Sequence, residues 1–399
     1  MARLHALQPF TLRATREPRF ALFAKGFRPF FFLAALSAAV MLPLWLLVFT
    51  GTLQPTGHFT PVYWHAHEMV FGFTTAVIAG FLLTAVGNWT QRETAVGLPL
   101  AGLCLLWILG RFAMSSGSLF SPAATAVVDL AFVPAVFIAL ARPLVAAKNR
   151  RNFVMLAVLA ALFAANLMTH LDALGSAPGW QRRGIIVALD VVVVLMLVIA
   201  GRVLPMFTRN ATGEGGVRSI PALDAATIAS MAVLTALDVF ASSIAAPLAG
   251  ITAALAAARA IHWGTRHTIR HPLLWILHVG YAWIPLGLLL RAAGSLDGAY
   301  GAMATHALTA GAIGALTLGM MARVSLGHTG RPLTVGRPMT IAFAAITIAA
   351  AMRVAAPLLP RHYLTLLIAA GVLWTGAFLV YLVKYARILV SPRVDGRAG

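Results

Sequence analysis

Four histidines and a group of acids are the residues with chemistry to offer. His65 and His67 stand two apart in Tyr63-Trp64-His65-Ala66-His67-Glu68, and His170 and His306 sit within two further apolar runs. Neutral imidazole binds haem iron, copper and zinc. A metal-bound histidine usually donates its other N–H to a carboxylate or carbonyl, and Glu68, Asp129, Asp172, Asp190 and Asp238 supply carboxylates in the same kind of apolar setting. On a helix, residues two apart point ~200° away from each other. His65 and His67 therefore do not easily share one ion, and their helix is expected to feed two sites on its two faces. The candidate metal ligands are His65, His67, His170 and His306. The candidate acids for moving protons are Glu68, Asp190 and Asp238. The plainer alternative is that each histidine is a packed, hydrogen-bonded residue and Glu68 a polar residue at a helix mouth.

The elements that must position these residues are membrane helices. Of 399 residues, 60% are hydrophobic and 10% charged, with a mean hydropathy of +0.87. Ordinary soluble domains carry about 25% charged residues. Apolar runs occur at roughly 29–49, 63–87, 98–116, 123–141, 152–174, 184–207, 222–242, 245–263, 272–294, 299–322, 338–356 and 362–386, separated by glycine and proline. Each is near the ~20 residues a span needs, and lipid leaves a single open strand without backbone partners. The predicted class is an all-α, polytopic membrane protein of about twelve transmembrane helices. Residues 1–28 form a basic segment, cytoplasmic or lying on the membrane surface. Residues 29–388 form one twelve-helix domain and residues 389–399 a cytoplasmic tail.

Charge sets the orientation. Twenty-four of the thirty Lys and Arg fall in the terminal segments and alternate loops of a twelve-span topology. The exceptions are Arg111, Arg182, Arg183, Arg291, Arg353 and Arg361. Such a bias places both termini in the cytoplasm. His65, His67, Glu68, Asp129, His170, Asp172, Asp190, Asp238 and His306 then all fall in the outer half, and ionisable groups at that depth are functional candidates by default. A second group lies on the inner side: His267, His271, His278 within the ninth span, and His328 in the loop after the tenth. With Arg202 and Arg323 it is suited to anionic groups such as haem propionates or lipid phosphates, or the arginines simply anchor the helices. Met114, Met320 and Met321 read as packing.

Several classes are excluded. The net charge of +19 sits in loops, so it reads as membrane orientation and not as nucleic-acid binding. One cysteine, Cys104, rules out disulfides, iron–sulfur ligation and a cysteine zinc site. There is no P-loop, nucleophile elbow or dinucleotide fingerprint. No internal repeat of the transporter kind is visible, and the basic N-terminal segment lacks the features of a cleaved signal peptide.

Longer motifs add a resemblance. Lys25-Gly26-Phe27-Arg28-Pro29-Phe30-Phe31, Trp64 through Phe73, Gly80 through Val86, Gly201-Arg202-Val203-Leu204-Pro205-Met206-Phe207-Thr208 and Gly319 through Pro332 closely resemble the NnrS family over about residues 23–385. The resemblance implies a twelve-helix protein of the bacterial inner membrane, containing haem and copper and tied to nitric oxide metabolism and nitrosative stress. The implied cofactors are haem b, one or two, and copper. The candidate haem contacts, read from the residues themselves, are His65, His67, His170, His278, His306, Arg202 and Arg323. More distantly the chain is similar to the catalytic subunits of haem–copper oxidases and nitric oxide reductases, whose haem-ligand pattern His67 (or His65) and His306 would match. It departs from them where spans six and seven carry Asp190 and Asp238 in place of histidines, so a metal centre would have to be built differently, with His170. Nitric oxide is then ligand or substrate, the lipid bilayer is the constant partner, and the electron donor, a quinol or a cytochrome c, is unknown, because no docking motif for either is readable. Three activities stay open: reduction of nitric oxide to nitrous oxide, haem-based sensing, and transport of metal, haem or a nitrosyl species without catalysis.

Overall fold

The computed structural model describes residues 20–54, 57–240, 242–294 and 298–397. Residues 1–19 of the basic segment and 398–399 of the tail lie outside the described residues. Among those described, twelve helices are long and apolar enough to cross a membrane and no strand occurs. They are α1 (Phe27–Phe49), α2 (Pro61–Thr90), α3 (Leu98–Ser115), α4 (Pro122–Ala146), α5 (Arg150–Ala173), α6 (Trp180–Thr212), α7 (Pro221–Val239), α8 (Ala245–Trp263), α9 (Pro272–Ala293), α10 (Ala299–His328), α11 (Arg337–Leu358) and α12 (Pro360–Val390). The chain is an all-α, multi-pass membrane protein.

Local sequence sets the ends. Proline occupies the first turn of α2, α3, α4, α7, α9 and α11, where its missing N–H costs nothing. Ser121 accepts the Ala124 N–H to cap α4. Gly213, at φ +72°, stops α6 in a left-handed turn. At 33 residues α6 is ~50 Å long, well beyond the ~30 Å hydrocarbon core of a bilayer. His328, expected in a loop, is instead the last residue of α10, its ring 5.7 Å from that of Phe27.

Burial shows which helices are central. Within their most apolar stretches, 83% of α2 and 67% of α6 and α10 is buried, against 22% of α7. The candidate histidines and acids thus ride mainly on the innermost helices or face them. The start of α1 and the end of α12 meet at one face. Arg28 Nη1 donates to the carbonyls of Leu389 and Ser391 (2.9 and 2.7 Å) at the end of α12, a cation at a helix C-terminus. Arg393 grips Asp395 in a fork and holds its carboxyl well below the usual carboxylate range, and the same guanidinium donates to the His328 carbonyl (2.9 Å).

Regular helical periodicity misses one feature. Both α2 and α10 widen for one turn into π-helix, at Glu68–Thr74 and Ala307–Ile313, immediately after His67 and His306. A π turn shifts the helix register by one residue and loosens carbonyls that lipid cannot satisfy. Side chains take these up: Thr74 Oγ1 donates to Met69 O (2.8 Å), Thr75 Oγ1 to Phe71 O, and Trp107 Nε1 to Gly72 O (3.0 Å).

Candidate functional site

The two histidines of α2 do face different sites. His65 lies on the side of α2 toward α10. Its ring stacks on Trp45 of α1 at 4.6 Å, and it lines a cavity of about 210 Å³ between α1, α2, α6, α10, α11 and α12. His306 lines the same cavity, as does Arg353 of α11. Most of the remaining wall is apolar, including Leu42, Phe73, Leu189 and Trp374. His306 Nδ1 donates to its own-helix carbonyl at Ala302 (2.8 Å), which fixes the tautomer and leaves Nε2 with a lone pair. Arg353 Nη1 is buried without a hydrogen-bond partner, and the guanidinium lies 5.9 Å from the Tyr363 ring.

His67 belongs to a second, closed cluster on the other side of α2. Its Nε2 stands 2.9 Å from Asn166 Oδ1 and 3.2 Å from Asp129 Oδ2, and its Nδ1 3.3 Å from Glu68 Oε1. His170 Nε2 donates to the same Asp129 Oδ2 (3.0 Å). Arg111 of α3 bridges Glu68 Oε1 (2.6 Å) and Asp129 Oδ1. Gly72 makes room for it: a Cβ there would stand 3.1 Å from both Arg111 Nη1 and Glu68 Oε2. Phe59, in the loop before α2, covers the cluster with its ring 5.2 Å from His67 and 5.4 Å from His170. His67, Glu68, Asp129 and His170 are all at most 2% exposed.

Charge counting says what this cluster can hold. One guanidinium faces two carboxylates, so with neutral imidazoles it carries one excess negative charge. An unbalanced charge is expensive away from water, and a bound cation removes the imbalance. Both nitrogens of His67 face oxygen acceptors, which suits an added proton. A metal ion suits the site equally. One ligand atom each from His67, Asp129 and His170 lies within 4.8 Å of the others, so small movements bring all three to the ~2.0–2.2 Å of metal bonds. Two imidazoles and one carboxylate form a donor set used by transition metals, with Glu68 placed to orient His67.

Asp190 and Asp238 make a third cluster, around Arg291 of α9. Arg291 Nη1 donates to Asp190 Oδ1 (2.9 Å) and Nη2 to Asp238. Asp190 Oδ2 is buried with no hydrogen-bond partner. Asp190 directly follows Leu189, which lines the cavity of His65 and His306.

The remaining sequence-predicted residues lie elsewhere. His278 is held between Thr208 Oγ1 and Thr265 Oγ1 (2.9 Å each). Arg202 donates to Asn152 Oδ1 (2.8 Å), and Arg323 lies 3.9 Å over the Phe207 ring. None of the three lines the cavity. Sequence reasoning missed Arg111, Arg291 and Arg353 as site residues. The signal was present, because all three are among the six basic residues that break the charge asymmetry. It also missed Asn166, a lone amide in an apolar run.

These features define a class: an all-helical, multi-pass membrane protein with buried histidine–carboxylate sites on its central helices. The profile described as "NnrS protein" matches residues 21–393. The chain therefore belongs to the NnrS family. No curated protein matches it.

Proposed function

We propose that this chain is a haem-binding protein of nitric oxide metabolism in the bacterial inner membrane, with both termini in the cytoplasm. One observation carries the reading. Two imidazoles from the central helices α2 and α10 line a single apolar cavity, and His306 is fixed through Nδ1 so that Nε2 is free for iron. The donor set fits haem b: His65 or His306 would hold the iron, and the unpartnered Arg353 Nη1 suits a propionate. Bound there, haem would supply an iron that takes nitric oxide and exchanges electrons. Copper, implied by the family resemblance, suits His67, His170 and Asp129 rather than this cavity.

The protein's own residues do the rest. The apolar walls exclude water, and the substrate is uncharged and needs no polar funnel. Reduction of two nitric oxide molecules to nitrous oxide and water consumes two protons and two electrons. Asp190, a buried carboxylate with one unpartnered oxygen, would hold a proton, and Glu68 would do so for the His67 cluster. The two electrons must come from an outside donor such as a quinol or a cytochrome c.

An absorption spectrum of the detergent-purified protein tests this, taken oxidised, dithionite-reduced and reduced with nitric oxide. Stoichiometric haem bands that shift with nitric oxide are expected, and His65→Ala and His306→Ala should each remove or displace them. Nitrous oxide formed under turnover separates a reductase from a sensor. A colourless protein from haem-replete cells would overturn the reading in favour of a transporter.

A further inference from the structure

Beyond the His65–His306 cavity, α1, α2, α6 and α10 line a second, smaller chamber of about 100 Å³, open on one side. Phe31, Phe81, Met196, Ile199, Leu316 and Met320 are among the residues that form it. The chamber lies farther along α2, α6 and α10 toward the face where the start of α1 meets the end of α12. Phe81, Met196, Ile199, Val203 and Met320 are half-buried rather than buried. They are mid-helix residues, and at that depth their open side faces acyl chains.

Two residues, Thr74 and Ile313, line both chambers. Each is the last residue of a π-helical turn, Glu68–Thr74 in α2 and Ala307–Ile313 in α10. The two distortions in the two histidine-bearing helices thus end at the same junction. Both junction residues are buried, and the Thr74 hydroxyl is used by Met69 O (2.8 Å).

The occupant follows from size and lining. A buried water needs two to four polar partners, and this chamber offers almost none. Its lining is apolar and its volume of about 100 Å³ has room for a small uncharged gas. We propose that an uncharged diatomic gas enters from the bilayer through this second chamber and passes between Thr74 and Ile313 to the His65–His306 cavity. The proposal rests on the haem reading above. It adds the route by which a lipid-soluble ligand such as nitric oxide arrives.

The test uses the haem-loaded, full-length protein with carbon monoxide as the probe. Its recombination after flash photolysis is followed in wild type and in Ala200→Phe and Thr317→Phe, which fill the second chamber without touching either histidine. The bimolecular rate should fall about tenfold, equivalent to a barrier raised by ~1.4 kcal/mol, while the haem spectrum stays unchanged. An unchanged rate in both filled variants overturns the route. If neither variant folds, wild type under xenon pressure decides. Slowed recombination together with a saturable ¹²⁹Xe signal is expected. Absence of bound xenon, including exclusion by a co-purified acyl chain, overturns the proposal. Absence of haem would instead sink the haem reading, and the two failures are read from different signals.

Discussion

Two clusters in this protein share one frame and differ in what surrounds it. Arg111 sits between Glu68 and Asp129, and Arg291 sits between Asp190 and Asp238. Each draws its three residues from three helices, is almost wholly buried, and has one more carboxylate than guanidinium. Around Arg111, however, stand His67, His170 and Asn166, whereas no histidine hydrogen-bonds to Asp190, Asp238 or Arg291 among the described residues. A charge frame alone ties helices together and stores one cation's worth of imbalance. Imidazoles turn that imbalance into a place where a proton and a metal ion compete.

Breaking the frame should have the largest effect. Arg291→Met leaves two carboxylates buried without their partner, and removing one member of a buried pair costs about 3–5 kcal/mol. A thermal melt in detergent should show the protein strongly destabilised or absent from the membrane. Arg111→Met should cost less, because His67 and His170 remain to take up positive charge. Equal losses from the two substitutions would mean that the histidines contribute nothing to the balance.

The next test separates the two faces of α2. His170→Ala should abolish metal uptake, measured by elemental analysis after copper loading, and leave the haem spectrum intact. His65→Ala should do the opposite. Glu68→Gln keeps the shape but removes the charge beside His67, and should weaken metal affinity about 10–100-fold, the usual effect of altering a group that orients a ligand. Copper retained in full by His170→Ala would remove that cluster as the metal site.

Much of this was legible in the sequence, for reasons that are physical. The twelve spans follow from apolar length alone, and the opposed faces of His65 and His67 follow from helical geometry. Pairing was not legible. Nothing in the spacing of Asp190, Asp238 and Arg291 says that three helices bring them together, and Arg111, Arg291 and Arg353 stood only as exceptions to the charge bias. The π turns were hidden too, since one extra residue in a turn leaves no mark on a continuous apolar run. Those turns set the register of everything after His67 and His306. A sequence-only helix would therefore aim Thr74 and Ile313 wrongly by about 100°.

The smallest expected effect is the sharpest on the comparison. Asp238→Asn removes the excess charge around Arg291 and leaves a one-to-one pair with Asp190, with the amide still able to accept a hydrogen bond. The lost charge-assisted bond and the relieved imbalance act in opposite directions, so stability should change by no more than ~1 kcal/mol. Asp129→Asn is the matching change in the other cluster. There it replaces a carboxylate metal ligand with a neutral amide, so metal uptake should be lost even where the melting midpoint barely moves. If Asp238→Asn instead abolished turnover while haem content and stability held, the Arg291 cluster would be part of the proton path to the cavity, entering through Asp190 beside Leu189. Unchanged turnover would leave it a structural clasp, and proton delivery would fall to Glu68.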